Sequence, residues 1–210
     1  TVTASYTDTL GTAESVASSA TSAVANVNDA PTGSVTISGT ATQGETLTAS
    51  NTLADADGLG TITYTWSNSA SSTGSSITLG QGDVGSAITV TASYTDTLGT
   101  AESVASSATS AVANVNDAPT ITGDPSTSVD EDSSYSFTPT GSDVDANTTL
   151  TYSITGTPEW AAFATDTGAL TGTPDNEDVG TDSDIVITVS DGTATASLSS
   201  FSITVSNIND

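Results

Sequence analysis

Ile88-Thr89-Val90-Thr91-Ala92-Ser93-Tyr94 alternates apolar with hydroxylated residues over seven positions. A period of two is the mark of a strand with one face in a core and the other in water. The same alternation runs through Val35-Thr36-Ile37-Ser38, Leu47-Thr48-Ala49 and Ile62-Thr63-Tyr64-Thr65-Trp66. Clusters of Gly, Asn, Ser and Asp punctuate these runs, and no segment has a 3.6-residue period. About seven strands at a spacing of ~8–12 residues argue for an antiparallel sandwich. The expected fold class is therefore all-β, built of seven-stranded Greek-key sandwiches. Trp66 reads as a core anchor, and Tyr94 as a residue closing a corner of the sandwich.

The length of each sandwich comes from a repeated hexapeptide. Asn114-Val115-Asn116-Asp117-Ala118-Pro119 recurs at Asn26-Val27-Asn28-Asp29-Ala30-Pro31 and, cut short, at Asn207-Ile208-Asn209-Asp210. The spacings are 88 and 93 residues, each the length of one small sandwich. Pro blocks simple continuation of strand pairing, so the hexapeptide reads as a hinge between modules in a linear array. Residues 1–32 recur without change at 89–120, and such internal identity signals tandem repetition. The expected division is 1–29, a two-stranded tail of a module; 30–117, a complete module; and 118–210, a second complete module. In the tail, strands are expected at about 1–7 and 13–25, joined by the turn signal Asp8-Thr9-Leu10-Gly11. A two-stranded piece is marginal by itself, so its other strands are expected upstream or from another chain. In the last module, strands are expected at 134–138, 149–155, 168–171, 184–190 and 194–206. Between them lies the aromatic segment Pro158-Glu159-Trp160-Ala161-Ala162-Phe163, and Asp191-Gly192 reads as a tight hairpin turn.

Among 210 residues there is no Lys, Arg or His, against 25 Asp and Glu, and hydrophobic residues make up 34%. No ion pair between side chains is possible. No cationic group exists to neutralise nucleic-acid phosphate or to hold an anionic membrane surface, and no apolar run reaches the ~20 residues of a membrane span. Catalysis is not expected, because without His, Lys or Cys neither a Ser-His pair, a Cys nucleophile nor a Schiff base can form. Cys is absent, so disulfides do not reinforce modules whose cores are small. What this chain can attract is metal cations.

The acids recur in phase with the hinges. Asp55-Ala56-Asp57-Gly58 follows the second strand of the middle module, and Asp143-Val144-Asp145-Ala146-Asn147 holds the same place in the last. Each module also has a Glu ahead of its second strand (Glu45, Glu131) and an Asp after its sixth (Asp96, Asp191). In a seven-stranded sandwich these loops and the incoming linker can share one pole. Asn116, Asp117, Asp143, Asp145 and Asp191 are then expected to converge, as are Asn28, Asp29, Asp55, Asp57 and Asp96. Carboxylates so gathered repel one another unless a cation sits among them. Ca²⁺, which takes ~6–8 oxygen ligands, suits this donor set better than Mg²⁺, which keeps its waters. Asp and Asn are also the ordinary residues of solvated turns, which is the competing reading.

On these residues the hinge resembles the calcium-binding linker of cadherins, and Asp143-Val144-Asp145-Ala146-Asn147 is similar to the cadherin D-x-D loop. By that resemblance Glu131 matches the family's early glutamate and Asp191 its late aspartate. The run from Leu150-Thr151-Tyr152-Ser153-Ile154 through Trp160, Phe163, Thr171-Gly172-Thr173-Pro174 and Asp191-Gly192 resembles dystroglycan-type cadherin-like modules. Residues 30–118 resemble the immunoglobulin-like repeats of large bacterial RTX-type surface adhesins, through Gly39-Thr40, Glu45-Thr46-Leu47-Thr48-Ala49, Asp55-Ala56-Asp57-Gly58, Trp66 and Asp83-Val84-Gly85. The hinge departs from the D-x-N-D-N form in its first residue and lacks the last Asn. The D-x-E motif of an upstream cadherin module is not evident.

The resemblance implies an extracellular, cell-surface location and a spacer role in an adhesin. The rod would be stiffened by calcium, with neighbouring modules of the same chain as partners. Two other readings remain open. One is a subunit of a self-assembling filament, joined to other copies by strand addition at exposed edges. The other is an accessory region of an exported enzyme, with Trp66 and Trp160 stacking on carbohydrate.

Overall fold

The structure, a computed structural model, describes residues 1–209. Asp210, the last residue of the truncated hinge copy, lies outside the described residues. The regular elements are strands and two single-turn 3₁₀ helices.

The chain opens with a lone antiparallel hairpin, β1 (Thr3–Thr7) and β2 (Ala13–Ala17), paired from Thr3 opposite Ala17 to Thr7 opposite Ala13. The second strand stops at Ala17 rather than running to 25. Every residue of both strands is exposed.

The middle module has two three-stranded sheets. One has the order β3 (Val35–Ser38), β4 (Thr46–Asn51), β6 (Ser76–Thr78); the other, β5 (Thr63–Trp66), β7 (Val90–Thr95), β8 (Ala101–Ala105). A seventh segment, Ala111 to Ala113, joins by isolated bridges to Ala87, Val84 and Thr42. The predicted alternation is the packing pattern: Val90, Ala92 and Tyr94 of β7 point inward, while Thr91, Ser93 and Thr95 do not. Trp66 is 1% exposed beside Leu47, Leu79, Ile88 and Val90, and its indole N–H donates to the Gly74 carbonyl at 2.9 Å. Satisfying that N–H lets the large ring be buried without an orphaned donor.

The last module holds ten short strands: β9 (Thr120–Thr122), β10 (Ser128–Asp130), β11 (Tyr135–Phe137), β12 (Thr140–Ser142), β13 (Thr151–Thr155), β14 (Ala161–Phe163), β15 (Leu170–Gly172), β16 (Gly180–Ser190), β17 (Thr195–Ser197) and β18 (Phe201–Ser206). The main sheet runs β10-β18-β16-β13, with β17 also on β16; β11-β15-β14 faces it, and β12 pairs with β9. β10 and β18 run parallel. The pairing of β16 with β18 shifts register between Asp182 and Ile185, where Asp184 takes a φ of 58°. A bulge of this kind bends and twists a strand, and beyond it β16 pairs with β17 and, on the edge away from β18, with β13. Its inward residues Ile185, Ile187 and Val189 are fully buried. The aromatic segment at 158–163 contributes β14, and Trp160 packs edge-on against Tyr135 at 5.7 Å between ring centroids.

Candidate functional site: the linker junctions

The D-x-D loops hold themselves in place by local geometry. The Asp57 N–H donates to Asp55 Oδ1, and the Asp145 N–H to Asp143 Oδ1, each at 2.8 Å. This bond, from a side chain to a backbone two residues on, is what Asp favours in turns. It leaves the second carboxylate of each loop facing the incoming linker. The Asp29 N–H donates to Asp57 Oδ2 at 2.7 Å, and the Asp117 N–H to Asp145 Oδ2 at 2.8 Å. Both hinges therefore dock on the module they enter through the same atom pair.

The late aspartates are a second matched pair. Asp96 Oδ1 accepts from the N–H groups of Leu98 and Thr100, and Asp191 Oδ1 from those of Thr193 and Ala194. These bonds, led by the Thr100 N–H for Asp96 and the Ala194 N–H for Asp191, hold both carboxyls below the usual carboxylate range. Asn116 Nδ2 reaches Asp191 Oδ2 at 2.9 Å. Its counterpart Asn28 turns instead to Glu102 Oε1 at 2.7 Å, a residue that no motif singled out. Asp55 Oδ2 accepts from the Tyr94 hydroxyl at 2.6 Å. Burial first, then this bond, pushes the Tyr94 phenol well above its ordinary value. Tyr94 thus secures the D-x-D loop rather than a backbone corner.

The two early glutamates are not equivalent in space. Glu131 is 3% exposed and lies at the opposite end of its module from Asp143 and Asp145. Its Oε1 accepts the N–H of Ile208, in the outgoing linker, at 2.6 Å. The matching contact in the middle module belongs to Gln43, whose Oε1 accepts the Val115 N–H at 3.1 Å, whereas Glu45 is exposed. The alignment of Ala41-Thr42-Gln43 with Val129-Asp130-Glu131 is the signal that finds Gln43. At the same outgoing end, Asp175-Asn176-Glu177 has the D-x-E spacing that the central linker lacks upstream. Asn207 Nδ2 donates to Asn176 Oδ1 there at 3.3 Å.

The structure thus joins the expected residues in pairs, with N–H donors between them: Asp29 with Asp57, Asp117 with Asp145, Asn116 with Asp191, and each D-x-D internally. Among the described residues, no group of three or more acidic side chains is gathered into a metal cage. The donor set nonetheless suits a hard cation. Four buried oxygens have no hydrogen-bond partner: Gln81 Oε1, Asp96 Oδ2, Glu131 Oε2 and Asp143 Oδ2. Glu131 holds the outgoing linker through its other oxygen, and Gln81 and Asp143 bond to Asp145 at the central joint. A buried acceptor without a donor is costly, and the sequence offers no cationic side chain to reach it.

The fold is that of tandem β-sandwiches of the immunoglobulin and cadherin kind. Residues 118–206 match the family model He_PIG, described as "Putative Ig domain". Extracellular cadherin domains 3–6 of protocadherin gamma B2 superpose with a TM-score of 0.51 at 15% identity, over 86% of this chain and 51% of that one. Mouse cadherin-23 EC22–24 gives 0.43 at 18% identity, over 78% and 59%. The chain spans about half the length of the protocadherin fragment it matches. No curated protein matches the sequence. The family match and the protocadherin superposition agree with the all-β sandwich fold expected from the alternation. No helix among the described residues is long and apolar enough to cross a membrane.

Proposed function

We propose that this chain is a non-catalytic spacer of a cell-surface adhesin, a rod of tandem sandwiches whose linkers bind calcium. The observation that carries the reading is the repeated docking of linker on loop: Asp29 on Asp57, and Asp117 on Asp145. A linker fixed to the module it enters restricts bending, and two joints docked through the same atom pair suit a part whose task is length. Asn116, Asp117, Asp143, Asp145 and Asp191 would hold calcium at the central junction. Asn28, Asp29, Asp55, Asp57 and Asp96 would do so at the first, and Glu131 at the outgoing end. The unpartnered Asp143 Oδ2, Asp96 Oδ2 and Glu131 Oε2 support this assignment. Bound calcium would neutralise like charges at each joint and stabilise the folded modules by mass action.

Edge strands such as β8, at the end of its sheet, allow a second reading, a filament subunit joined through strand addition. Concentration-dependent growth in length would select it over the spacer. Carbohydrate stacking has less support, since Trp66 is buried and the Trp160 indole donates to Asp182 at 3.0 Å within its module.

Calorimetric titration tests the calcium sites. Replacing Asp143→Asn and Asp145→Asn together is expected to weaken calcium binding at the central junction by tenfold or more, while circular dichroism stays that of a folded sandwich. Titration curves indistinguishable from those of the parent would remove these two residues as ligands.

A further inference from the structure

The central joint contains two side chains whose N–H groups the calcium reading does not use. Gln43 Nε2 donates to Asp117 Oδ2 at 2.8 Å. Gln81 Nε2, from the 3₁₀ helix Gln81–Asp83, donates across the joint to the Val144 carbonyl at 3.1 Å and to Asp145 Oδ1 at 3.2 Å. We propose that these two amides form a metal-independent clamp, which keeps the middle and last sandwiches aligned when no cation is bound. The clamp deepens the spacer reading and rests on its rod, not on its calcium sites.

The chemistry follows from the composition. Asp117 and Asp145 can only accept hydrogen bonds when ionised, and a primary amide is the neutral side chain with two N–H donors. In a chain without Lys, Arg or His, Gln and Asn are the side chains that bring two N–H donors to a carboxylate. A carboxylate at position 43 or 81 would set like charge against Asp117 and Asp145. An amide there replaces repulsion with charge-assisted bonds, which are the stronger kind.

The outgoing linker provides the contrast within the same molecule. Glu131 occupies the place of Gln43, as the matched bonds from Ile208 and Val115 show. The 3₁₀ helices also correspond. Each is closed by its third residue, Asp83 accepting from the Gly80 N–H and Asp178 from the Asp175 N–H, both at 2.9 Å. Gly80, Gln81 and Gly82 at the central joint thus correspond to Asp175, Asn176 and Glu177 at the next. One upstream face offers amides at positions 43 and 81. The other offers three acids, one of them the buried Glu131.

Spin-label distance measurements on the full chain test the clamp, and the absence of native Cys leaves only introduced labels. Exposed Thr48→Cys and Thr171→Cys place one label on each side of the joint. With chelator present, the parent is expected to give one narrow distance distribution. Gln43→Ala with Gln81→Ala is expected to broaden it, the open population rising about tenfold for the charge-assisted bonds lost. Gln43→Glu with Gln81→Glu is expected to broaden it in chelator too, and thermal unfolding checks that each variant is folded. A broad distribution for the parent in chelator overturns the clamp, as does a variant as narrow as the parent. Calcium calorimetry on the parent is read separately. Loss of binding there removes the calcium sites and leaves the clamp standing.

Discussion

Asp83 shows how this chain uses its acids where no base exists. It is 2% exposed, and its two oxygens accept from the Ser69 N–H at 2.7 Å and the Gly80 N–H at 2.9 Å. Burial pushes its carboxyl up, but the donors at Gly80 and Ser69 outweigh burial and hold it below its ordinary value of 3.8. A carboxyl depressed in the folded state stabilises the fold above the unfolded value. That contribution is lost as the pH falls through the lower folded one. Asp83→Ala is expected to cost about 1–3 kcal/mol at neutral pH, because it leaves two N–H groups without acceptors. The cost should shrink as the pH drops below 3.8, and denaturant midpoints across that range read it. A cost that stays constant with pH would show that the carboxylate charge is not what binds these donors.

At the scale of the element, the repeat supplies its own control. Residues 1–32 and 89–120 are identical, yet Val24 is 98% exposed where Val112 is 2%, and Tyr6 is 61% exposed where Tyr94 is 5%. The hairpin β1–β2 pairs as β7–β8 does, with Tyr6 opposite Glu14 and Tyr94 opposite Glu102. Local turn chemistry therefore suffices to set register. It does not suffice for stability, since two strands alone bury too little. Amide hydrogen exchange is expected to be orders of magnitude faster in β1–β2 than in β7–β8, despite the identical sequence. Equal protection would mean that the first hairpin is covered by another molecule. The same contrast explains why the strand expected over 13–25 ends at Ala17. The later bridges at 111–113 need Ala87, Val84 and Thr42, all of which lie ahead of the repeated stretch 89–120.

Across the whole molecule, a net charge of −25 works against compactness. Self-repulsion of like charges destabilises a folded chain, and it is screened over ~30 Å at 0.01 M salt but only ~3 Å at 1 M. In chelator, the unfolding temperature is expected to rise between those two salt concentrations. With calcium saturating, the rise should be smaller, because bound cations already neutralise part of the charge. Equal salt dependence in both conditions would argue against calcium at the joints.

Much of this architecture was legible along the chain, because its causes are local. The period-two alternation, the Gly- and Asp-rich turns and the D-x-D loops each depend on residues within a few positions, and most are found where expected, though the strand expected over 194–206 breaks at 198–200 into β17 and β18. The spacing of the hinge and the lack of any basic residue are properties of the sequence alone. Which residues meet at a joint is not local, and only the tertiary structure decided it. Glu45 and Glu131 read as equivalents, yet the matched contact belongs to Gln43, because the strand pairing of each module sets which side chain faces its linker. Gln81 reaches Asp145 from 64 positions away, and no pattern along the chain ties them. Burial follows the same rule: identical residues are core in one copy and surface in the other, because burial is conferred by neighbours distant in sequence.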